Sequence, residues 1–409
     1  MNEQLVVMNF GPIRDATVDF KRVTVFIGPT GGGKSTLAKL AAIFRDSSYS
    51  EVASGESVKD SCLTDYQLSN FKTNNSGAFF ESKDVKKALK FDKETVMIVL
   101  HQQHDNSVNL EFENSSALLA EATLTLAQAN EEKNEIKKTS LLNEVARLLE
   151  RINDSKINRK KLIKDAAFYL HPIYIPSNRA FAAAITSSLA GLMRDDIGLP
   201  KELLNFINLF FQVRDDVMSL EIPFLQVSYF RHDSKDFISF APRESAILLY
   251  ETASGIQSVT PMLVLLEHLS RNTEQAQSFI IEEPELNLYP TAQQGLLNWL
   301  VEKCTKGEND LTITTHSPYI LSHLNLLLYA YQVAEKHPDR REAVAAIVPE
   351  ASWINPKEFA CYQVENGGVQ SLVDTELGLI DNNELDGLSG DAADAFDNLI
   401  RLSKGFAIK

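Results

Sequence analysis

Residues 23–35 of this 409-residue chain have the sequence VTVFIGPTGGGKS, and this stretch determines the predicted fold class. Its first five residues are apolar or β-branched, which predicts a short buried strand. A glycine-rich turn follows directly, and residues 35–45 after it are rich in leucine and alanine, which predicts a helix. A strand, a glycine loop and a helix in this order form the context in which a backbone loop binds a phosphate group.

The loop matches the pattern GxxxxGK[ST] at every position. The glycines allow backbone N–H groups to turn towards a phosphate, and the helix that follows points its positive dipole end at the same anion. Lys34 is predicted to bridge the β- and γ-phosphates of ATP, Ser35 to hold Mg²⁺, and Thr36 to add a phosphate contact. A plain glycine-rich turn before a helix is the alternative. The loop residues are Gly28, Pro29, Thr30, Gly31, Gly32, Gly33, Lys34 and Ser35.

A second chemical element lies at residues 278–290, with the sequence SFIIEEPELNLYP. Three apolar residues end in Glu282 and Glu283, as in a buried strand that carries acids at its carboxyl end. Glu282 is predicted to sit in the Mg²⁺ shell, and Glu283 to orient or deprotonate the attacking water. Acidic residues around a proline are also typical of the first turn of a helix, which is the alternative here.

Two further segments complete the set. Residues 312–318, TITTHSP, place His316 after another apolar strand, where an imidazole could donate to the γ-phosphate; a core or surface histidine is the alternative. Residues 251–258, ETASGIQS, predict a helix that begins at Ser254 and Gly255. Since the chain already has its own phosphate site, this helix is predicted to face the γ-phosphate of a second subunit. A plain N-cap serine is the alternative.

The rest of the chain supplies the predicted framework. Residues 1–115 and 167–373 are predicted to form the two parts of one ATPase head. Residues 116–166 have apolar residues at helical spacing and are predicted to form a helical arm or hairpin, a candidate for partner contact. Residues 374–409 form an acidic tail. Further predicted strands lie at residues 4–9, 16–20, 94–100, 107–112, 168–176, 224–240, 279–281 and 311–314, and further helices at residues 179–220 and 291–304.

Composition limits the kinds of partner. The net charge is −15, with 44% hydrophobic and 23% charged residues, which is ordinary for a globular protein and gives no support to a surface that coats DNA. No stretch approaches the about 20 apolar residues of a membrane helix, and no signal peptide is visible, so we expect a cytoplasmic protein. The three cysteines, Cys62, Cys304 and Cys361, show no CxxC pairing, which argues against a zinc site.

The order GPTGGGKS, ASGIQS, FIIEEPELNLYP and TTHSP resembles the ABC-type ATPase heads of the SMC, RecF and OLD group. The segments NFGPIRDATVDF and YIPSNRA add to this resemblance, which covers residues 1–45 and 165–325. It is closest to the stand-alone AAA-family ATPases of bacterial anti-phage systems. The implied fold class is α/β, a P-loop NTPase of the ABC-head type with a mixed sheet flanked by helices and a helical insertion arm.

The resemblance also implies roles for residues and for cofactors. ATP and Mg²⁺ are the implied cofactors, with Lys34, Ser35 and Thr36 as the Walker A ligands. Glu282 and Glu283 would form Walker B, with Glu283 catalytic, and His316 would be the switch histidine. The remaining assignments are Ser254, Gly255 and Gln257 as the signature acting in trans, Asn287 in the D-loop, Arg14 near adenine, and Gln102 or Gln103 in the Q-loop.

The resemblance further implies partners. Self-association through the heads is expected, and a separate effector such as a Toprim or HNH nuclease, as in the PARIS and Septu systems, because no nuclease motif follows residue 318. A phage protein could act as the trigger. One rival is a DNA-repair or chromosome-maintenance head, which would need a basic stripe or a longer arm. A transporter subunit and a kinase are the other rivals, and the long insertion and the paired acids with His316 count against them.

Overall fold

The computed structural model describes residues 3–46, 63, 65–71, 77–81, 85–92, 95–102, 171–185, 198–240, 246–271, 276–381, 395–396 and 398–400. The strands are β1 Glu3–Phe10, β2 Ile13–Phe20, β3 Val23–Ile27, β4 Gly77–Glu81, β5 Val85–Asp92, β6 Thr95–Gln102, β7 His171–Ile175, β8 Ser219–Ile222, β9 Val227–His232, β10 Lys235–Phe240, β11 Ala246–Leu248, β12 Gln277–Glu282, β13 Asp310–Thr314, β14 Phe359–Glu365 and β15 Gly368–Ser371.

The α-helices are α1 Lys34–Arg45, α2 Phe181–Ala184, α3 Lys201–Val213, α4 Ser254–Leu269, α5 Pro290–Cys304, α6 Pro318–Lys336 and α7 Arg341–Ile347. Short 3₁₀ helices lie at Ser69–Phe71, Ser177–Ala180, Pro223–Leu225, Leu249–Glu251, Pro338–Arg340, Glu350–Ser352 and Pro356–Glu358. In the described part of the chain, no helix has the length and apolar character needed to cross a membrane.

The central sheet has six strands in the order β15-β14-β3-β13-β12-β7. The five strands from β14 to β7 run parallel, and β15 pairs with β14 in the antiparallel direction. The mixed sheet flanked by helices that the sequence predicts is therefore confirmed. Because the inner strands are parallel, the carboxyl ends of β3, β12, β13 and β7 meet at one edge of the sheet, which is where ligands bind in this architecture.

Two antiparallel sheets accompany the central one. Their strand orders are β2-β1-β4-β5-β6 and β11-β10-β9-β8. Residues 95–100 of the strand predicted at residues 94–100 lie within β6, which pairs with β5, a strand that the sequence did not predict. Its expected partner, residues 107–112, lies outside the described residues, as does the helical arm predicted at residues 116–166. The helix predicted up to residue 220 was wrong at its end, because residues 219–222 form β8.

Hydrophobic residues cover both faces of the central sheet. Along β3, Val23, Val25 and Ile27 pack on the side of helices α3 to α6. Phe26 points to the other side, where α1 packs against β1 and β2. All five residues of β3 are buried, which explains why this strand is a continuous apolar run rather than an alternating one.

A buried ionic cluster joins the far end of α1 to three strands. The Arg45 guanidinium donates to Glu3 Oε2 at 2.6 Å, to Asp310 Oδ1 at 3.2 Å and to Ser278 Oγ at 2.6 Å. Only 1% of the Arg45 side chain is exposed. Burial raises the pKa of Asp310 to about 7, although the Arg45 charge opposes this shift. The cluster fixes α1, and with it the preceding glycine loop, relative to the sheet.

Candidate nucleotide-binding site

The glycine loop connects β3 to α1 in a conformation that requires its glycines. Gly28 has φ of +135° and Gly33 has φ of +113°, values that residues with a side chain rarely adopt. A Cβ at Gly28 would lie 2.3 Å from the carbonyl oxygen of Val364 in β14. The loop is thus held closely against β14, while Pro29, Thr30, Gly31 and Ser35 are exposed.

Lys34 lies inside this loop. Its Nζ donates to the carbonyl oxygens of Gly28 at 2.8 Å and Pro29 at 3.0 Å. The residue is only 5% exposed, and burial lowers the pKa of Lys34, while the charges of Glu283 and Glu282 oppose this shift. The ammonium group therefore faces the two predicted Walker B acids from within the loop.

The paired acids lie at the carboxyl end of β12, and the helix-start alternative is wrong because the next helix begins only at Pro290. Glu282 is buried; its Oε2 accepts from Ser177 N at 3.3 Å, and its Oε1 has no hydrogen-bond partner among the described residues. Glu283 adopts φ of +42°, and its N–H donates to Thr314 O at 2.9 Å. The Glu283 side chain is 30% exposed and points away from the core.

His316 follows β13 and faces Glu283. The distance from His316 Nε2 to Glu283 Oε1 is 3.5 Å. Burial and the Lys34 charge lower the pKa of His316, although the Glu283 charge opposes the shift. At neutral pH this imidazole is therefore uncharged. The structure brings Lys34, Glu282, Glu283 and His316 together at one edge of the sheet, although residues 34 and 282 are far apart in the sequence.

For two residues in this cluster, the sequence predicted no role. Glu285 is 7% exposed; its Oε1 accepts from Thr315 Oγ1 at 2.5 Å and from His316 N at 3.2 Å. Burial raises the pKa of Glu285. Arg179 donates to the backbone carbonyls of Glu282 and Glu283. The sequence signals that could have identified them are the third acid of the EEPE run and the arginine of YIPSNRA.

The predicted signature lies at the start of α4, which begins at Ser254. Ala253, not Ser254, occupies the N-cap position, and no side chain caps the helix. The N-cap alternative for Ser254 is therefore wrong, and Ser254 is exposed. A Cβ at Gly255 would lie 2.6 Å from the carbonyl oxygen of Asn287, which has φ of +64°. The Gln257 side chain donates to Thr252 O at 2.6 Å. The signature thus packs on the predicted D-loop of its own chain.

The segment predicted near adenine lies beside the glycine loop. A Cβ at Gly33 would lie 2.3 Å from Ile13 Cδ1. Arg14 is exposed, and its N–H donates to Gly367 O at 2.7 Å in the turn between β14 and β15. Gln102 is the last residue of β6. Gln103 lies outside the described residues, so the Q-loop assignment stays a prediction.

A known protein family matches this chain over most of its length. The model of the AAA ATPase domain family matches residues 1–182 and 196–321. This chain belongs to the AAA ATPase domain family. The match also spans residues 46–164, which the resemblance drawn from the motifs did not cover. The protein is an ATPase that hydrolyses ATP, and its predicted ATP-binding loop and acidic pair both lie within the matched residues.

The comparison with solved structures gives matches of low sequence identity. The SMC head domain from Thermotoga maritima has a TM-score of 0.41 at 10% identity, covering 91% of this chain and 98% of that chain. The recombination mediator protein RecF has a TM-score of 0.34 at 12% identity, covering 91% of this chain and 98% of that chain. No curated protein matches this AAA ATPase.

The donor set of this ATPase fits a nucleotide with Mg²⁺. Glu282 Oε1 is a buried carboxylate oxygen without a hydrogen-bond partner in the described part of the chain, and the Ser35 hydroxyl is exposed in the first turn of α1. Oxygen ligands of this kind are those that Mg²⁺ prefers. A Cβ placed at Gly31 would meet no described atom within 4 Å, which leaves room for phosphate oxygens above the loop.

Proposed function

We propose that this ATPase binds MgATP on the glycine loop and hydrolyses it slowly with Glu283 as the general base. The observation that carries the proposal is the 3.5 Å approach of His316 Nε2 to Glu283 Oε1, next to Lys34. Lys34 neutralises phosphate charge, Ser35 and Glu282 hold Mg²⁺, and Thr36 adds a phosphate contact. Glu283 is the more exposed acid of the pair, as a residue that meets water must be.

We further propose that two heads engage around two nucleotides. The support is the N-terminus of α4, which no side chain caps and where Ser254 is exposed. The positive end of α4 can therefore complete the γ-phosphate site of a partner head. Arg14 would contact adenine from the side of the glycine loop.

Residues 1–115 and 167–373 are proposed to form one composite head, with residues 116–166 inserted and residues 374–409 as an acidic tail. The support is the position of β3 between β14 and β13, which joins the N-terminal and C-terminal parts in one sheet. The helical insertion is the proposed contact site for a partner protein.

ATP binding would stabilise the engaged pair of heads, and hydrolysis would release it, so the nucleotide state can control a partner. We propose that this partner is a separate effector, such as a Toprim or HNH nuclease, in bacterial anti-phage defence. The support is the resemblance of the motif order to stand-alone defence ATPases and the net charge of −15. Binding of DNA by the purified protein at moderate salt would instead favour a role in repair or chromosome maintenance.

The Glu283→Gln variant tests the proposed base. Since a positioned general base contributes about 100-fold or more to the rate, the variant is expected to lose turnover by at least that factor while it still binds MgATP. Native mass measurement with and without MgATP should show a trapped dimer of the variant. The surface variant Glu302→Gln serves as the matched control and should behave as the wild type. Wild-type turnover by Glu283→Gln would refute the assignment of the base.

A further inference from the structure

Arg179 is a fully buried arginine next to the reaction centre. Its relative exposure is 0%, and it lies in the short 3₁₀ helix Ser177–Ala180 directly after β7. Arginine is almost never buried to this degree unless its charge and its N–H groups are satisfied. The contacts of its guanidinium group therefore indicate what it does.

The guanidinium group binds the backbone that follows β12. One terminal nitrogen, Nη1, donates to Glu282 O at 2.7 Å and to Pro176 O at 3.2 Å. The other, Nη2, donates to Glu283 O at 2.7 Å and to Pro284 O at 3.0 Å. One side chain thus binds three consecutive carbonyl groups, at the end of β12 where its pairing with β13 stops.

The backbone of Glu283, the middle one of these three residues, is strained. Glu283 has φ of +42°, a left-handed backbone conformation that is unfavourable for a residue with a side chain. Such a conformation persists only where the surroundings fix it. The bonds of Arg179 to the carbonyls on both sides of Glu283 and to Glu283 itself supply this constraint, together with the Glu283 N–H bond to Thr314 O.

We propose that Arg179 is a positioning residue, which holds the backbone of residues 282–284 so that the Glu283 carboxylate faces His316 and the attacking water. The inference rests on the proposed role of Glu283 as the base. Arg179 does not touch the nucleotide in this scheme, because both of its terminal nitrogens donate to backbone carbonyl oxygens. It acts by fixing the direction of the carboxylate.

Both the charge and the planar shape of the Arg179 side chain contribute to this positioning role. Burial lowers the pKa of Arg179 to about 10, and the charges of Glu285, Glu283 and Glu282 oppose that shift, so the group stays charged at neutral pH. Its planar fork reaches four carbonyl oxygens from two terminal nitrogens, which a single lysine ammonium group cannot do. Lysine at this position would keep the charge and lose the geometry.

The Arg179→Lys variant separates positioning from nucleotide binding. A displaced base slows the chemical step, so kcat is expected to fall about 10- to 100-fold while KM for ATP and the affinity for MgATP change less than about twofold. The matched control is Arg214→Lys, which alters a different buried arginine, paired with Asp236 of β10. That variant should lower the unfolding temperature without the same loss of kcat. A loss of ATP affinity with kcat unchanged in Arg179→Lys would overturn the proposal.

A double variant distinguishes this inference from the proposed function. If Arg179 acts through Glu283, Arg179→Lys should slow single-turnover hydrolysis in the wild type and leave the residual rate of Glu283→Gln unchanged. Equal losses in both backgrounds would overturn the positioning role. Wild-type turnover by Glu283→Gln alone would instead refute the base. Should Arg179→Lys not fold, Arg179→Gln, which keeps two N–H donors, replaces it; failure of both to fold would assign Arg179 to structure alone.

Discussion

At the scale of single residues, the charge of Lys34 contributes, after burial, to the lowered pKa of His316. Burial and Lys34 both lower the pKa of His316, and only the Glu283 charge raises it. In the Lys34→Met variant the opposing positive charge is gone, so the pKa of His316 is expected to rise. The imidazole should then gain its proton at a higher pH than in the wild type. An NMR titration of the histidine Cε1 protons between pH 5 and 8 measures this shift.

His323 provides an internal control for that titration. Its pKa is also lowered, but burial is the only cause, and its ring bonds to Asn298 Oδ1 at 2.8 Å rather than to a charged group. The signal of His323 should therefore titrate at the same pH in Lys34→Met and in the wild type. A shift of both histidines together would indicate a general loosening of the fold and would contradict the electrostatic explanation for His316.

The residues that the sequence identified and those that it missed differ in what they bind. Lys34, Glu283 and His316 belong to short motifs whose chemistry is local in the sequence, so spacing and strand context were enough to bring them together. Arg179 binds backbone carbonyls of a strand about a hundred residues away. No pattern of side-chain types reveals a bond to a backbone carbonyl group, because every residue offers the same carbonyl acceptor whatever its side chain.

At the scale of elements, the contact between the glycine loop and β14 should make Gly32 indispensable. A Cβ at Gly32 would lie 2.5 Å from Val364 O and 3.1 Å from Pro29 O, both backbone atoms. Gly32→Ala is therefore expected to destabilise the protein by about 1–3 kcal/mol, since the loop must move away from β14. It should also abolish the stabilisation by MgATP, which reaches about 2.7 kcal/mol at a ligand concentration of 100 times Kd.

Gly368 in β15 is the matched control for Gly32. The nearest atom to a Cβ there is Asp15 O at 3.6 Å, which is ordinary van der Waals contact. Gly368→Ala should change the free energy of unfolding by less than about 0.5 kcal/mol and keep the full response to MgATP. Urea unfolding of both variants with and without MgATP makes the comparison. Full stabilisation of the Gly32→Ala variant by MgATP would show that nucleotide binding by the loop does not depend on its close packing against β14.

The elements themselves were predictable to different degrees. The buried strands β3, β12 and β13 stand out in the sequence because both of their faces are covered and each contains a short run dominated by apolar and β-branched residues. The strand β5, with the sequence VKKALKFD, lacks such a run and went unassigned. Antiparallel pairing selects partners through the sheet rather than through composition, so the pairing of β5 with β6 could not be derived from either strand alone.

At the scale of the whole molecule, the exposed and uncapped N-terminus of α4 at Ser254 predicts sites shared between two chains. In a two-fold dimer, each site would take its glycine loop, Glu283 and His316 from one head and Ser254 from the other. Lys34→Ala and Ser254→Arg should each be inactive alone. Mixed in equal amounts, about half of the dimers are heterodimers, and each has one site with both defects and one intact site. ATPase activity should therefore return to about a quarter of the wild-type value.

A second mixture tests whether the recovery of activity depends on which residues act in the same head. Lys34 and Glu283 act in the same head, so a heterodimer of Lys34→Ala and Glu283→Gln has one defect in each of its two sites. This mixture should stay inactive, although it contains the same number of substitutions and the same glycine-loop variant. Recovery in both mixtures would place Glu283, like Ser254, in the partner's site and would contradict its assignment to the site of its own head. Recovery in neither would place the function of Ser254 outside the partner's site, and the sandwich of two heads would have to be abandoned.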